Sequence, residues 1–169
     1  MFKNLFRISI GILFFLFTLA AQAENTNFTT SHFSGSGNCA MCHDNLTDTS
    51  GNDVSIVRDW GNSMMANATK DPFWRAKVAT ELERNSHLSS VITDKCNKCN
   101  EPIANYEITK VQGCDVQLFG AYGILNANHV LHDAGMNGVR CTVCHNITDD
   151  ASLGTLDGFS CKYNINDTK

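Results

Sequence analysis

Cys39-Ala40-Met41-Cys42-His43 and Cys141-Thr142-Val143-Cys144-His145 repeat one spacing, C-x-x-C-H, and that repeat constrains the chain more than any other feature. On a helical turn, positions i, i+3 and i+4 share a face. Each pentapeptide therefore presents two thiols and an imidazole in one direction. Two thiols so spaced can add to the two vinyl groups of one porphyrin while the adjacent imidazole reaches its iron, and the pattern is the attachment signature of haem c. Cys39, Cys42, Cys141 and Cys144 are then covalent anchors, and His43 and His145 proximal iron ligands. Zinc is the first rival, but Cys₄ and Cys₂His₂ sites do not require His directly after the second Cys. A pair of short-loop disulfides is the second, and it leaves both His unexplained. The expectation is two haems c.

The N-terminus points to export. Lys3 and Arg7 precede an apolar stretch, Ile8 to Leu19, and Ala21-Gln22-Ala23 offers small residues where a signal peptidase reads. The stretch is short for a spanning helix, which needs about 20 residues. Residues 1–23 are therefore expected to be a signal peptide and 24–169 one domain, periplasmic or otherwise exported, with no membrane span after cleavage. The formal net charge is −4, and the leader carries no acid, so the mature chain is more acidic still. Acidity, without a basic stripe interleaved with aromatics, argues against nucleic acid and for redox partner proteins with basic docking patches.

Periodicity is helical where it exists. Ile56, Trp60 and Met64 recur every four residues, with Val57 beside them. Asp71-Pro72 is a start signal, followed by Trp74, Val78 and Leu82. A third helix is expected from about Ser86 to Cys99, with Leu88, Val91, Ile92 and Cys96 on one side. One or two further turns fit residues 101–109, and short helices fit 128–134 and 139–146. Residues 24–38 read as an extended entry, 110–127 as loop, and 148–169 as a tail with no packing pattern. The predicted class is mainly α: short helices and long loops packed around covalently bound haems. The apolar surface is too sparse for an ordinary core of this size, and porphyrin would supply the remainder.

Cys96-Asn97-Lys98-Cys99-Asn100 repeats the thiol spacing with Asn in the ligand position, and Asn is a poor iron ligand. This degraded third motif is expected to hold no haem, with a local Cys96–Cys99 disulfide as the result. Asn100→His alone is expected to restore attachment. Cys114 and Cys161 have no motif, and with Cys96 and Cys99 they allow three pairings.

C-x-x-C-H, then Asp59-Trp60, Ser63-Met64-Met65-Ala66 and Asp71-Pro72-Phe73-Trp74, resembles the bacterial multihaem cytochromes c. Asp94-Lys95-Cys96-x-x-Cys99 and His129-x-x-His132 before Gly138-Val139-x-Cys141 resemble them too, over residues 37 to about 160. The resemblance implies a periplasmic or surface electron carrier of the tetrahaem cytochrome kind. Such proteins commonly continue past Asp157-Gly158-Phe159 to further motifs, so the resemblance also implies a version incomplete at its C-terminus.

Four imidazoles besides His43 and His145 can serve as sixth ligands. His87 and His132 are the first candidates for distal ligation, His129 the next, and His32 the last. Met64 and Met65 can ligate through sulfur, but beside Trp60 they read as core packing. With imidazoles exceeding irons and no catalytic cluster in view, the chain reads as an electron carrier in a respiratory chain with no catalytic residue. The alternative is a subunit or fragment of a multihaem reductase acting on a small nitrogen compound at an open iron.

Overall fold

The computed structural model describes residues 26–166. The export segment expected at residues 1–23 lies outside the described residues. The described chain is mainly helical, in short helices joined by long loops, and its β structure is three isolated bridges, Thr29–Ser34, Thr47–Asp53 and Ile147–Ile165.

Helix α1 (Ser36–His43) carries the first motif, so the expected extended entry ends three residues early, at Gly35. Asn38 sets its start, donating to the Phe28 carbonyl at 2.9 Å and to Ser34 Oγ at 2.8 Å. Helix α2 (Ile56–Gly61) ends before Met64, because Ser63 Oγ takes the Ala66 N–H and Asn67 ties back to the Gly61 and Ser63 carbonyls. Helix α3 (Pro72–Arg84) starts where expected: Asp71 accepts the Phe73 N–H at 2.9 Å, with Pro at the first position. Its inward stripe is Val78, flanked by half-buried Trp74 and Leu82.

Helix α4 (Ser89–Asn100) follows a short 3₁₀ turn, Ser86–Leu88, and corrects the expected stripe. Leu88 and Val91 are 44% and 55% exposed, whereas Thr93 and Asn97 are buried. Thr93 can point inward because its hydroxyl donates to the Ser89 carbonyl at 2.8 Å within the helix. Pro102 then opens α5 (Pro102–Tyr106), which runs into a π-helical turn, Glu107–Val111. Helices α6 (His132–Met136) and α7 (Cys141–His145) complete the set.

Two small clusters form the interior. Phe33, Ile103, Ala134, Val143 and Ile165 make one, and Ala104, Ile108, Val116 and Ile124 the other. Both draw on segments whose sequence showed no period. Val116, Leu118 and Ile124 come from the 110–127 loop, and Ile165 from the tail. The tail is held by Thr148 N–H to Asn164 O (2.8 Å) and Asn166 N–H to Asn146 O (2.7 Å). Asp150 fixes the turn between, accepting from Ser152 and Asn164, and those bonds hold its carboxyl down at about 2.

One disulfide joins Cys99 to Cys161 across 62 residues of sequence. This corrects the expected Cys96–Cys99 bridge: Cys96 and Cys114 are free thiols, and Cys99 reaches the tail instead. Closing a loop of that length removes about 4 kcal/mol of chain entropy from the unfolded state in the loop-closure model.

Beside this disulfide the interior is polar. Glu101 is fully buried with both carboxylate oxygens unpartnered, and so is the Asn97 side chain one turn earlier. Burial pushes the Glu101 carboxyl well above the usual carboxylate range, against a smaller opposite pull from Arg75. The folded state therefore retains a proton that the unfolded chain releases as pH rises, and stability falls with pH above the unfolded carboxylate range. Glu101→Gln should leave urea stability unchanged near pH 4 and raise it by about 1–3 kcal/mol at pH 8. Unfolding curves across that range check the sign.

Candidate functional site

Both complete motifs open on one space. Cys39 and His43 of α1 and Cys141, Thr142 and His145 of α7 line a shared cavity of about 410 Å³, closed on a further side by Ile56 and Val57 of α2. Cys39 and Cys141 line it together, and the Cys39 thiol donates to the Gly35 carbonyl at 3.9 Å. Motifs separated by about a hundred positions in sequence are thus side by side.

Polar clamps hold them there. The Thr142 hydroxyl donates to the Ser34 carbonyl at 2.9 Å, and Asn146 Nδ2 to the His32 carbonyl at 2.7 Å. Buried Asn137 donates to Thr26 Oγ1 (2.7 Å) and Ser36 Oγ (3.1 Å). Each bond crosses more than a hundred positions, from the entry segment and α1 to the region of α7. Helix α2 joins from the other side, with Trp60 Nε1 donating to the Val139 carbonyl at 3.0 Å and the Val139 N–H to Met65 O at 3.0 Å.

Gly138 makes that last approach possible. Its φ is +65°, and a Cβ there would stand 2.5 Å from the Ala66 carbonyl oxygen. A side chain is disfavoured both by the left-handed backbone and by the neighbouring main chain.

The environment of the thiols is apolar enough to matter. Burial pushes the Cys39 thiol up, aided by Cys141, and burial does the same to Cys144, again with Cys141 adding. Arg140, directly before the second motif, is 1% exposed. Its Nε donates to the Asn137 carbonyl at 2.9 Å, while Nη1 and Nη2 have no partner. Desolvation lowers its pKa. A buried guanidinium with two unpaired nitrogens suits an acidic group from outside the chain. Haem, with its apolar ring and two propionates, suits the chemistry of Cys39, Cys141 and both motif imidazoles on this apolar-walled cavity, with Arg140 buried beside the second motif; Cys42 and Cys144 are exposed and lie off the cavity lining.

The remaining imidazoles are placed differently. His132 Nδ1 donates to the Ile124 carbonyl at 2.8 Å, so Nε2 is the nitrogen not engaged in that bond. Such a backbone bond is the usual orienting partner of a metal-binding His. His129 Nδ1 accepts the Leu131 N–H at 3.1 Å, and His87 is exposed on the turn between α3 and α4. His32, placed last from sequence, is firmly positioned. Its N–H donates to Glu107 Oε1 at 3.0 Å, its Nδ1 lies 3.4 Å from the same oxygen, and its ring meets Tyr106 edge-on at 5.1 Å. Glu107 lies 75 positions away, and nothing in the sequence connects the two.

Met64 and Met65 correct another expectation. They are 89% and 48% exposed and do not pack in the core. They line a second cavity, of about 540 Å³, together with Cys99 and Asn100 of the degraded motif.

Among the described residues, no three His, Cys, Asp or Glu side chains converge to hold a metal ion directly. No described helix is long and apolar enough to cross a membrane. Compared with known protein families, with curated proteins and with solved structures, the chain matches none.

Gly138→Ala should lower unfolding stability by about 1–3 kcal/mol. Asp149→Ala, at an exposed position remote from this approach, should cost far less. Urea unfolding followed by circular dichroism distinguishes the two.

Proposed function

We propose that the chain is an exported multihaem cytochrome c that carries electrons through two covalently attached haems. The observation that carries this reading is the shared cavity. One thiol and the imidazole of each motif, Cys39 with His43 and Cys141 with His145, face one apolar space from neighbouring helices. A zinc reading needs four ligands converging on a point.

In the proposed arrangement Cys39 and Cys42 anchor one porphyrin and Cys141 and Cys144 the other, with His43 and His145 as proximal ligands. Bound haem supplies a one-electron iron couple and the redox potential that goes with it. The chain contributes the rest. Ile56 and Val57 present apolar surface and exclude water. Arg140 offers a buried positive charge, which favours the reduced state of a neighbouring iron and accepts a propionate. His132, oriented by the Ile124 carbonyl, is the best-supported distal ligand, with His129 and His87 as further candidates. Because Cys39 and Cys141 share one cavity, haems attached there would lie close together, as electron exchange between centres requires. Redox partner proteins are the proposed donors and acceptors, and no catalytic residue is assigned.

Intact mass of protein made in a host with cytochrome c maturation should show two haems per chain, resistant to acid-acetone extraction. A mass with zinc and no porphyrin would overturn the reading. His132→Ala should convert one haem from low to high spin, visible in the ferric absorption spectrum and as new carbon monoxide binding. The unaltered protein should bind neither cyanide nor nitrite at its irons; binding there would favour an open catalytic site.

A further inference from the structure

The cavity beside the degraded motif is larger than the one between the two complete motifs, about 540 against 410 Å³. Its lining includes Met64, Met65, Pro72 and Val139, with Cys99 and Asn100 at the end of α4. Cys96, Cys99 and Asn100 stand at i, i+3 and i+4 of one helix, so they share the face that the complete motifs use. The thiol spacing is retained, and the cavity reaches Cys99 and Asn100, though not Cys96. The loss of one imidazole is therefore not the whole difference between this site and the others.

The second difference is sulfur chemistry. We propose that the Cys99–Cys161 disulfide closes a latent haem-attachment site at Cys96-x-x-Cys99, so that reopening it takes two substitutions rather than one. This rests on the haem reading of the complete motifs. Thioether formation adds S–H across a vinyl double bond: a C–S bond forms, the hydrogen goes to the other vinyl carbon, and no electrons are exchanged. Both sulfurs must therefore be thiols. In the disulfide the Cys99 sulfur is already oxidised and has no hydrogen to add. Two electrons and two protons from an external dithiol would have to restore it first.

The surroundings keep that state in place. Cys96 is the one thiol able to displace Cys161 from within the motif, but exchange requires its thiolate. Burial pushes the Cys96 thiol up, and the nearby charge of Glu81 adds to the effect. The tail side is fixed independently through Asp150, Asn164 and the Ile147–Ile165 bridge, so Cys161 is delivered to Cys99 by structure that does not involve the motif. At the ligand position, Asn100 is committed to its neighbours. Its Nδ2 donates to Ala68 O at 3.3 Å, and its carbonyl accepts the Thr69 hydroxyl at 2.8 Å. Asn100→His alone, which the sequence suggested would suffice, thus supplies the imidazole and leaves one anchor blocked.

Four proteins decide the matter: the unaltered chain, Asn100→His, Cys161→Ser and the double variant, all made in a host with cytochrome c maturation. Haem is counted by intact mass, and free thiols by alkylation under denaturing, non-reducing conditions. The expected counts are two haems for the first three proteins and three for the double variant. Of the eight cysteines, the unaltered chain should alkylate only at Cys96 and Cys114, and the double variant only at Cys114. Three haems on Asn100→His alone would overturn the proposal. So would a double variant with two haems and alkylated Cys96 and Cys99. Peptide mapping of the unaltered chain is independent of how the variants fold, and a Cys96–Cys99 link there would also overturn it. Porphyrin missing from all four would sink the haem reading itself, whereas two flanking haems with a wrong middle count would sink this proposal alone.

Discussion

The packing of α1 against α7 depends on hydrogen bonds from backbone and short polar side chains rather than on apolar area. Thr142 to Ser34, Asn146 to the His32 carbonyl, and Asn137 to Thr26 and Ser36 are each made across more than a hundred positions. Each is worth about 1 kcal/mol net, but an unmade one leaves a desolvated group that costs more. That asymmetry specifies the arrangement tightly. It is also what a chain with two small apolar clusters requires if two five-residue motifs are to meet at one cavity. The second cluster reinforces the same geometry, because Ile124, whose carbonyl orients His132, is also one of its buried members.

Much of the fold was legible where the chain carries explicit signals. Asp71-Pro72 marks a capped helix start, and the alternation of Trp74, Val78 and Leu82 follows α3 as built. The motif cysteines were readable because thiol spacing on a helix turn is a local property. What was not legible is non-local. Ile165 is buried because the tail pairs with residues 146–148, and Val116 because a loop without period folds over α5. Local pattern also misled on α4: Leu88 and Val91 are the apolar residues at helical spacing, yet Thr93 and Asn97 face inward. His32 was ranked last because its neighbours are Ser, Thr and Gly, and its anchor, Glu107, is visible only once the chain is folded.

The buried polar groups divide into two kinds. Arg140 is a cation with unpaired nitrogens next to a complete motif, where an acidic partner suits it. Asn97 and Glu101 are unpaired beside the degraded one, on either side of Cys99 and Asn100. A carboxyl held protonated by burial and an amide with no partner make that region costly in a way the rest of the interior is not.

That cost bears on why the disulfide matters structurally. Thr93, Asn97 and Glu101 together give the inner side of α4 and its junction with α5 little apolar area to hold the segment in place. A cross-link does not need such area, because it acts by restricting the unfolded chain rather than by adding contacts to the folded one. Cys161 ties α4 to a tail that is itself anchored to α7 through the pairing of Ile147 with Ile165. The degraded motif is thereby joined covalently to the neighbourhood of the second complete one. A thioether-linked porphyrin would secure the end of α4 through the same sulfur. On the haem reading, the disulfide and the porphyrin are alternative ways of meeting one structural need, and Cys99 can serve only one of them at a time.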